Sequence, residues 1–305
     1  MKNSKKVKLV VVGSIALDTI ETPLAKECEI PGGSASFACA AASLFSRTGM
    51  IGIVGDDFPE QHIERLSSLN IDLKGLEKVK GKTFRWSGIY ENDMNNRRTI
   101  STELNVFADF NPKVPESYAQ APYLLLANIA PSLQLSVLNQ MRNPKFVAVD
   151  TMDLWINTAK QDLLNLLKRS DLLFLNESEA RHLAAESSLF KAAKKLLELG
   201  PQFIVIKKGE HGSMLFSKNS LFIMPAFPLE EVYDPTGAGD SFAGAFMGWL
   251  AKRGKKNIAI MRKAMLLGTV AASFAVEKFS IEGLAHATQN DLKTRARLLR
   301  NMVHI

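Results

Sequence analysis

The stretch Asp234-Pro235-Thr236-Gly237-Ala238-Gly239-Asp240-Ser241-Phe242-Ala243-Gly244 decides how the rest of the chain is read. Small residues and an acid run straight into an apolar segment, 242–250, and the proline and aspartate ahead of it are helix-start signals. Glycine at 237 and 239 lets backbone N–H groups face a ligand with no side chain between. At a helix N-terminus such groups join the macrodipole to make an anion site. Asp240 then lies beside a bound phosphate, where it suits a general base that takes a proton from an attacking hydroxyl. The anion site would stabilise charge on a phosphoryl group in transfer. Taken as a bare tetrapeptide, Gly-Ala-Gly-Asp also describes a tight turn and a helix cap. The full eleven residues, late in the chain and leading into an apolar helix, favour the chemical reading.

Upstream of this stretch, apolar runs of strand length alternate with longer helical segments. Strands are expected at 8–12, 50–54, 123–128, 146–150, 172–176 and 203–207. Most are continuous apolar runs, as in parallel strands covered on both faces. Helices are expected at 34–46, 59–69, 132–141, 157–169, 178–185 and 189–199. This rhythm predicts a doubly wound α/β fold with a mostly parallel sheet flanked by helices, in one domain over 1–305. Two stretches break it. Residues 17–30 and 83–102 are more polar and aromatic, alternate like half-exposed strands, and are assigned to a small β lid. Residues 214–217 and 220–224 form a hairpin across Lys218-Asn219, and the chain from Gly237 on is mostly helical.

Composition narrows the class. The hydrophobic share of 46% supports a large core. No apolar run approaches the ~20 residues of a membrane span, and the lysine-rich start leads into a strand, so neither a membrane partner nor a signal peptide is expected. Cys28 and Cys39 are too few for a disulfide framework and fit a reducing, cytoplasmic setting. The net charge of +7 is spread along the chain and carries no nucleic-acid-binding signature. Gly75 and Gly81-Lys82-Thr83 have the wrong spacing for a P-loop, and a strand follows them where a helix is needed. Gly13 stands alone after the first strand, and Phe242 occupies the third-glycine position after Gly237 and Gly239, so no dinucleotide fingerprint is present. Clustered Cys/His ligands and a G-x-S-x-G elbow are also missing from the sequence.

The eleven residues resemble the C-terminal signature of the ribokinase-like (PfkB) carbohydrate kinases, D-T-[TV]-G-A-G-D, with Pro235 in place of the commonest second residue. Other segments extend the likeness over nearly the whole chain. Gly32-Gly33-Ser34-Ala35-Ser36 resembles the family's N-terminal motif, Val54-Gly55-Asp56-Asp57-Phe58 the segment that closes it, Asn176-Glu177-Ser178-Glu179 the N-x-x-E motif, and Ile206-Lys207-Lys208-Gly209-Glu210-His211-Gly212 the nucleotide-binding turn. The resemblance implies an ATP-dependent kinase that phosphorylates a hydroxymethyl group of a sugar, or alternatively of a nucleoside. It implies Asp240 as base, with Gly237, Ala238 and Gly239 as the anion hole. Asp18, Gly32 and Gly33 would hold the acceptor. Asn176, Lys207, Gly209 and Gly212 would bind ATP, and Asn176 and Glu179 would organise Mg²⁺ through water and phosphate. Asp234 would lie near a monovalent cation such as K⁺. Asn128, at the end of a central strand, is added to the acceptor side on position alone.

Two departures bear on the acceptor. The family's first motif commonly ends in a sugar-binding asparagine, where this chain has Phe37, which cannot supply those hydrogen bonds. Phe37 packs either against a ring of the acceptor or into the core. At Lys207 the family often has threonine, so that a phosphate contact is altered or replaced by lysine charge. The aromatic lid stretch Phe84-Arg85-Trp86-Ser87-Gly88-Ile89-Tyr90 fits either a cover over a sugar or base or a clasp in a homodimer. A non-catalytic sugar- or nucleotide-binding regulator on the same fold is the rival class, but it would be expected to have lost Asp240 or the glycines, and all are present.

Overall fold

The computed structural model describes residues 6–303; the first five and last two residues of the chain, and with them part of the lysine-rich start, lie outside the described residues. Nine strands form the main sheet: β1 (Leu9–Val12), β4 (Thr48–Gly55), β5 (Ile71–Val79), β8 (Tyr123–Leu126), β9 (Phe146–Asp150), β10 (Leu172–Asn176), β11 (Phe203–Lys207), β12 (Ser213–Ser217) and β13 (Ser220–Met224). The remaining four, β2 (Ala16–Glu21), β3 (Lys26–Gly32), β6 (Phe84–Tyr90) and β7 (Arg97–Glu103), form a separate lid sheet in the order β3-β2-β6-β7.

The main sheet runs β13-β12-β11-β10-β9-β8-β1-β4-β5, parallel from β11 to β5, with the antiparallel hairpin β12–β13 at one edge. From β1 the chain builds outward through β4 and β5, then returns to β8 on the other side of β1. The order therefore reverses between β1 and β8, and in open α/β sheets ligands bind at the carboxyl edge of such a switch point.

Side chains alternate across each strand, and the alternation separates two cores. Leu9, Val11, Leu125, Ala148, Phe174 and Val205 face one side, with the helices Ser34–Ser43, Ala238–Arg253 and Ile258–Ala275. Val10, Val12, Leu124, Val149, Leu175 and Ile206 face the other, with Pro131–Gln140, Lys160–Leu167, Glu177–Ala184 and Leu189–Glu198. The six expected strands and the hairpin are present, and both lid stretches fold as strand pairs. Two elements differ from expectation. The helix expected over 157–169 is two helices, Asp153–Thr158 and Lys160–Leu167, broken at Ala159 (φ −137°). Strand β5 was not expected, because its charges alternate with apolar residues on an edge strand and mask the apolar run. Helix Ile258–Ala275 is long and apolar enough to span a membrane by composition, but most of it is buried in the fold against Ala238–Arg253.

Helices Ser34–Ser43 and Ala238–Arg253 pack unusually closely. A Cβ at Gly244 would lie 2.1 Å from the Ala38 carbonyl oxygen, and one at Gly248 would lie 2.7 Å from that of Ala42. Near the start of both helices the Phe37 ring lies against Gly237. The contacts advance together along both chains, so the helices are parallel and present their N-termini at the same end. Gly244→Val should drive a side chain into backbone that cannot give. The expected outcome is a loss of ~1–3 kcal/mol or more of stability, read as a fall in the urea midpoint, whereas an exposed change such as Lys255→Ala should stay within ~0.5 kcal/mol.

Candidate active site

Gly237 is the N-cap of Ala238–Arg253 and holds a left-handed conformation (φ 73°, ψ 3°) that costs glycine little. Ser241 N–H donates to the Gly237 carbonyl at 2.8 Å, closing the first turn, while Ala238 N–H donates to Pro235 O at 3.2 Å. Among the described residues the N–H groups of Gly237 and Gly239 meet no acceptor, two of the donors that every helix start leaves over, and Gly239 lines the cleft. Ala238, grouped with them from sequence, contributes position, since its own N–H is turned into the loop.

The loop before the helix is braced. Asp234, 1% exposed, accepts from Thr236 N–H at 2.9 Å through one carboxylate oxygen and from Ser280 N–H at 3.3 Å through the other. Burial raises its pKa above the usual carboxylate range. Thr236 Oγ1 donates to the Tyr90 hydroxyl of lid strand β6 at 3.1 Å, which ties lid to loop.

Asp240 lies in the first turn, half-buried, one residue past the cleft-lining Gly239. Burial and the negative charge of Asp150 push its carboxyl up to about 7, against the opposing pull of Lys207 and Arg97. Asp18 comes from β2, where it pairs in register with Ile30 of β3. It is 3% exposed. Its carboxyl fills the space where a side chain on Gly32 would stand, a Cβ there lying 1.8 Å from Oδ2. Burial, then the charge of Asp234, raises it to about 8, while the Gly33 backbone N–H and Arg97 act the other way. Asp240 also acts on Asp18, so the proposed base and the proposed acceptor-binding acid feel one another. Gly33 (φ 90°) caps Ser34–Ser43 and lies so close to Ser14 that a Cβ would be 2.5 Å from its carbonyl oxygen.

Asn128 reaches the same place. Its carbonyl accepts Ser34 Oγ at 3.1 Å, and its side-chain oxygen accepts Trp155 Nε1 at 2.9 Å. Phe37 is 1% exposed and packs beneath Gly237, so of its two expected environments the core is the one observed.

On the nucleotide side, three neighbouring strands end in polar residues at the same edge: Asp150 on β9, Asn176 on β10 and Lys207 on β11. Lys207 Nζ donates to Asp150 Oδ2 at 2.8 Å. Asn176 and Glu179 form a reciprocal capping box: the Asn176 side chain accepts Glu179 N–H at 2.8 Å, and Glu179 accepts Asn176 N–H at 2.7 Å. Burial raises Glu179 to about 7, with Lys207 opposing and Asp150 adding to the rise. Gly209 (φ 55°) and Gly212 (φ 82°) turn the chain from β11 back into β12. A cleft of about 530 Å³ runs from this turn to the helix start, lined by Lys207, Gly209, Gly212, Ala238, Gly239 and Phe242 among others. Thr269, Ala272, Ser273 and Val276 of the late helical region form its far wall, and the tip of the lid hairpin, Asp93 to Asn95, closes its rim. Asn95 Nδ2 donates to Glu210 across that rim at 3.1 Å.

The structure thus brings Asp18, Gly32, Gly33 and Asn128 together at the switch point, and Lys207, Gly209, Gly212, Ala238 and Gly239 along the cleft, with Asp240 between the groups. Asp150, Trp155, Tyr90 and Arg97 were not singled out from sequence. Asp150 carried a signal, an acid closing a buried apolar strand at the edge where ligands bind. Tyr90 lay inside the aromatic lid stretch. Arg97 and Trp155 had none, because only the tertiary fold turns them toward the cleft.

Unpaired glycine N–H donors at a helix start, a carboxylate in the same turn and a cleft at the carboxyl edge of a doubly wound sheet are the parts a phosphotransferase needs. The comparisons agree: the family model of the pfkB carbohydrate kinases matches residues 6–285, and the chain belongs to that family. It is an ATP-dependent kinase of the sugar and nucleoside class. It is 32% identical to the cytidine kinase of Thermococcus kodakarensis over 78% of this chain and 87% of that one. The fold matches the crystal structure of a Methanocaldococcus jannaschii nucleoside kinase (TM-score 0.77, 21% identity, 96% of this chain and 99% of that one). It matches equally an Arabidopsis thaliana ribokinase solved with ribose and ATP (TM-score 0.77, 22% identity, 96% and 99%).

The raised Asp18 has a consequence for stability. Its pKa is about 8 in the folded chain against 3.8 ordinarily, so folding favours the protonated form. The contribution is fully present below pH ~4 and is lost as pH rises through 8. Asp18→Asn removes the charge while keeping an acceptor for Gly33. The variant is expected to melt above wild type at pH 8, with the gap narrowing toward pH 5 in a thermal series.

Proposed function

We propose that this kinase transfers the γ-phosphoryl group of ATP to the hydroxymethyl group of a nucleoside, with cytidine as the first acceptor to test. The observation that carries the phosphotransfer chemistry is the position of Asp240, one turn into a helix whose Gly237 and Gly239 donors are free. Three features support a nucleoside over the free sugar first expected from sequence. Phe37 lies in the core where many family members carry a sugar-binding amide. The lid offers Trp86, half-buried on β6, and Trp155 stands beside Asn128, so aromatic surface is present near the acceptor end. A cytidine kinase is among the relatives, at 32% identity.

In this reading ATP lies along the 530 Å³ cleft with its base toward Thr269 to Val276 and its phosphates toward Lys207 and Gly239. The acceptor lies between Asp18, Gly32, Gly33 and Asn128, under the lid. Asp240 removes the hydroxyl proton as the oxygen attacks in line, the γ-phosphoryl oxygens meet the Gly237 and Gly239 donors, and the closed lid excludes water. No three Asp, Glu, His or Cys side chains converge to hold a metal among the described residues. One oxygen each of Asn176 and Glu179 is held in their capping box, so these residues would reach Mg²⁺ through water and ATP phosphates and not as a direct ligand cluster. When bound, Mg²⁺ would neutralise phosphate charge. Both Asp234 oxygens are taken by backbone N–H groups, so a monovalent cation there would have to share them.

An ATP-consumption screen over pentoses, hexoses, ketoses and nucleosides tests the acceptor. The highest kcat/KM is expected for a nucleoside, and a free sugar turning over faster would overturn the choice. Asp240→Asn is expected to lower kcat by ~10²–10⁴ with little change in ATP affinity, and a variant with full turnover would refute the base. Because the base acts deprotonated and its pKa is raised to about 7, kcat/KM for the acceptor should climb with pH through a limb near 7 and level off above it.

A further inference from the structure

Lys207 has features that a lysine buried only for structure would not need. It closes β11 and reaches past β10 to Asp150, two strands away, where Nζ donates to Oδ2 at 2.8 Å. Asp150 is fixed in turn: its other oxygen accepts Thr151 N–H at 3.0 Å. An ammonium has three N–H donors, and the Asp150 bond is the only one Lys207 makes among the described residues. Its side chain remains 18% exposed, three times the figure for Asp150, and it lines the cleft. Nζ lies 3.1 Å from where a Cβ on Gly239 would be, so the missing side chain lets the ammonium come close to an unused N–H at the helix start.

The surrounding charges add a second argument. Burial alone would pull Lys207 down, but Asp150, Glu179 and Asp240 together keep its pKa above the usual value, so the ammonium stays protonated. The acids around it, two of them raised to about 7, offset the charge of Lys207 in the empty cleft. A triphosphate entering there needs a positive group that faces it.

We propose that Lys207 is a catalytic residue whose ammonium touches the transferred phosphoryl group, and that Asp150 is the positioning residue that aims it. The inference rests on the phosphotransfer reading and deepens it. As the bond from the γ-phosphorus to the β–γ bridging oxygen breaks, its electron pair leaves with ADP. The acceptor oxygen forms the new bond to phosphorus and its proton passes to Asp240. Lys207 keeps its protons and donates to a non-bridging oxygen of the moving group. The threonine common at this place in the family offers one neutral donor; lysine offers charge as well.

The test compares wild type with Lys207→Met, Lys207→Arg, Asp150→Asn and the double variant Lys207→Met/Asp150→Asn, using the best acceptor from the screen. Turnover is read as kcat and KM for ATP, binding as the Kd of ADP and of non-hydrolysable adenylyl imidodiphosphate, and folding as Tm. Lys207→Met is expected to lower kcat by ~10²–10³ while the ADP Kd stays within about threefold, and Lys207→Arg should recover part of the loss. Asp150→Asn should lower kcat by about tenfold with a smaller change in KM. The double variant removes both charges, so it avoids a buried unpaired ammonium or carboxylate, and its kcat should match that of Lys207→Met and not the product of the two losses. The proposal is overturned if Lys207→Met keeps kcat and loses only Tm, if kcat holds while KM and the ADP Kd rise together, or if the two losses multiply. A wild-type enzyme that turns over no acceptor would instead take down the phosphotransfer reading, and this proposal with it.

Discussion

The site depends on a contact between two parallel helices that have almost no side chains between them. Gly244 and Gly248 let Ala238–Arg253 lie against the backbone of Ala38 and Ala42, and Phe37 packs under Gly237 where the pair begins. Parallel helices packed this closely bring their positive ends together. One start carries Gly33, beside Asp18, and the other carries Gly237, three residues after the raised acid Asp234 and three before the raised acid Asp240. A cleft with two helix starts on one wall is a place where anionic and hydroxylated ligands can lie side by side, and the sheet's reversal between β1 and β8 opens space for them.

Carboxylates dominate the electrostatics of that wall. Asp18, Asp240, Asp234 and Glu179 all sit above their ordinary pKa values, and in each burial is the first cause. Proteins seldom bury so many acids unless ligands or cations share their environment. Lys207 and Arg97 are the cations that act on them, one from the end of β11 and one from lid strand β7. The folded chain therefore holds an arrangement that favours function over maximal stability.

The sheet was readable because its buried parallel strands are short apolar runs, all six ending within two residues of the expected positions, and the candidate anion loop because Asp234 to Gly244 are consecutive residues. Local glycine patterns likewise pointed to Gly32, Gly33, Gly209 and Gly212. What escaped was set by tertiary structure. Strand β5 hides because edge strands tolerate charge. The break at Ala159 has no proline or glycine to announce it. Trp155 reaches Asn128, and Lys207 reaches Asp150, across neighbouring strands, distances no sequence pattern encodes. Phe37 was open between two environments until the close approach of Gly237 decided it.

Two of the lid's contacts with the body lie far apart on one hairpin: Tyr90 meets Thr236 beside the proposed base, and Asn95 meets Glu210 on the turn that leaves β11. One hairpin therefore roofs both compartments. In the proposed phosphotransfer reading, release of either product is expected to loosen polar contacts that also cover the other, one of them part-buried at Tyr90 and one exposed at Asn95.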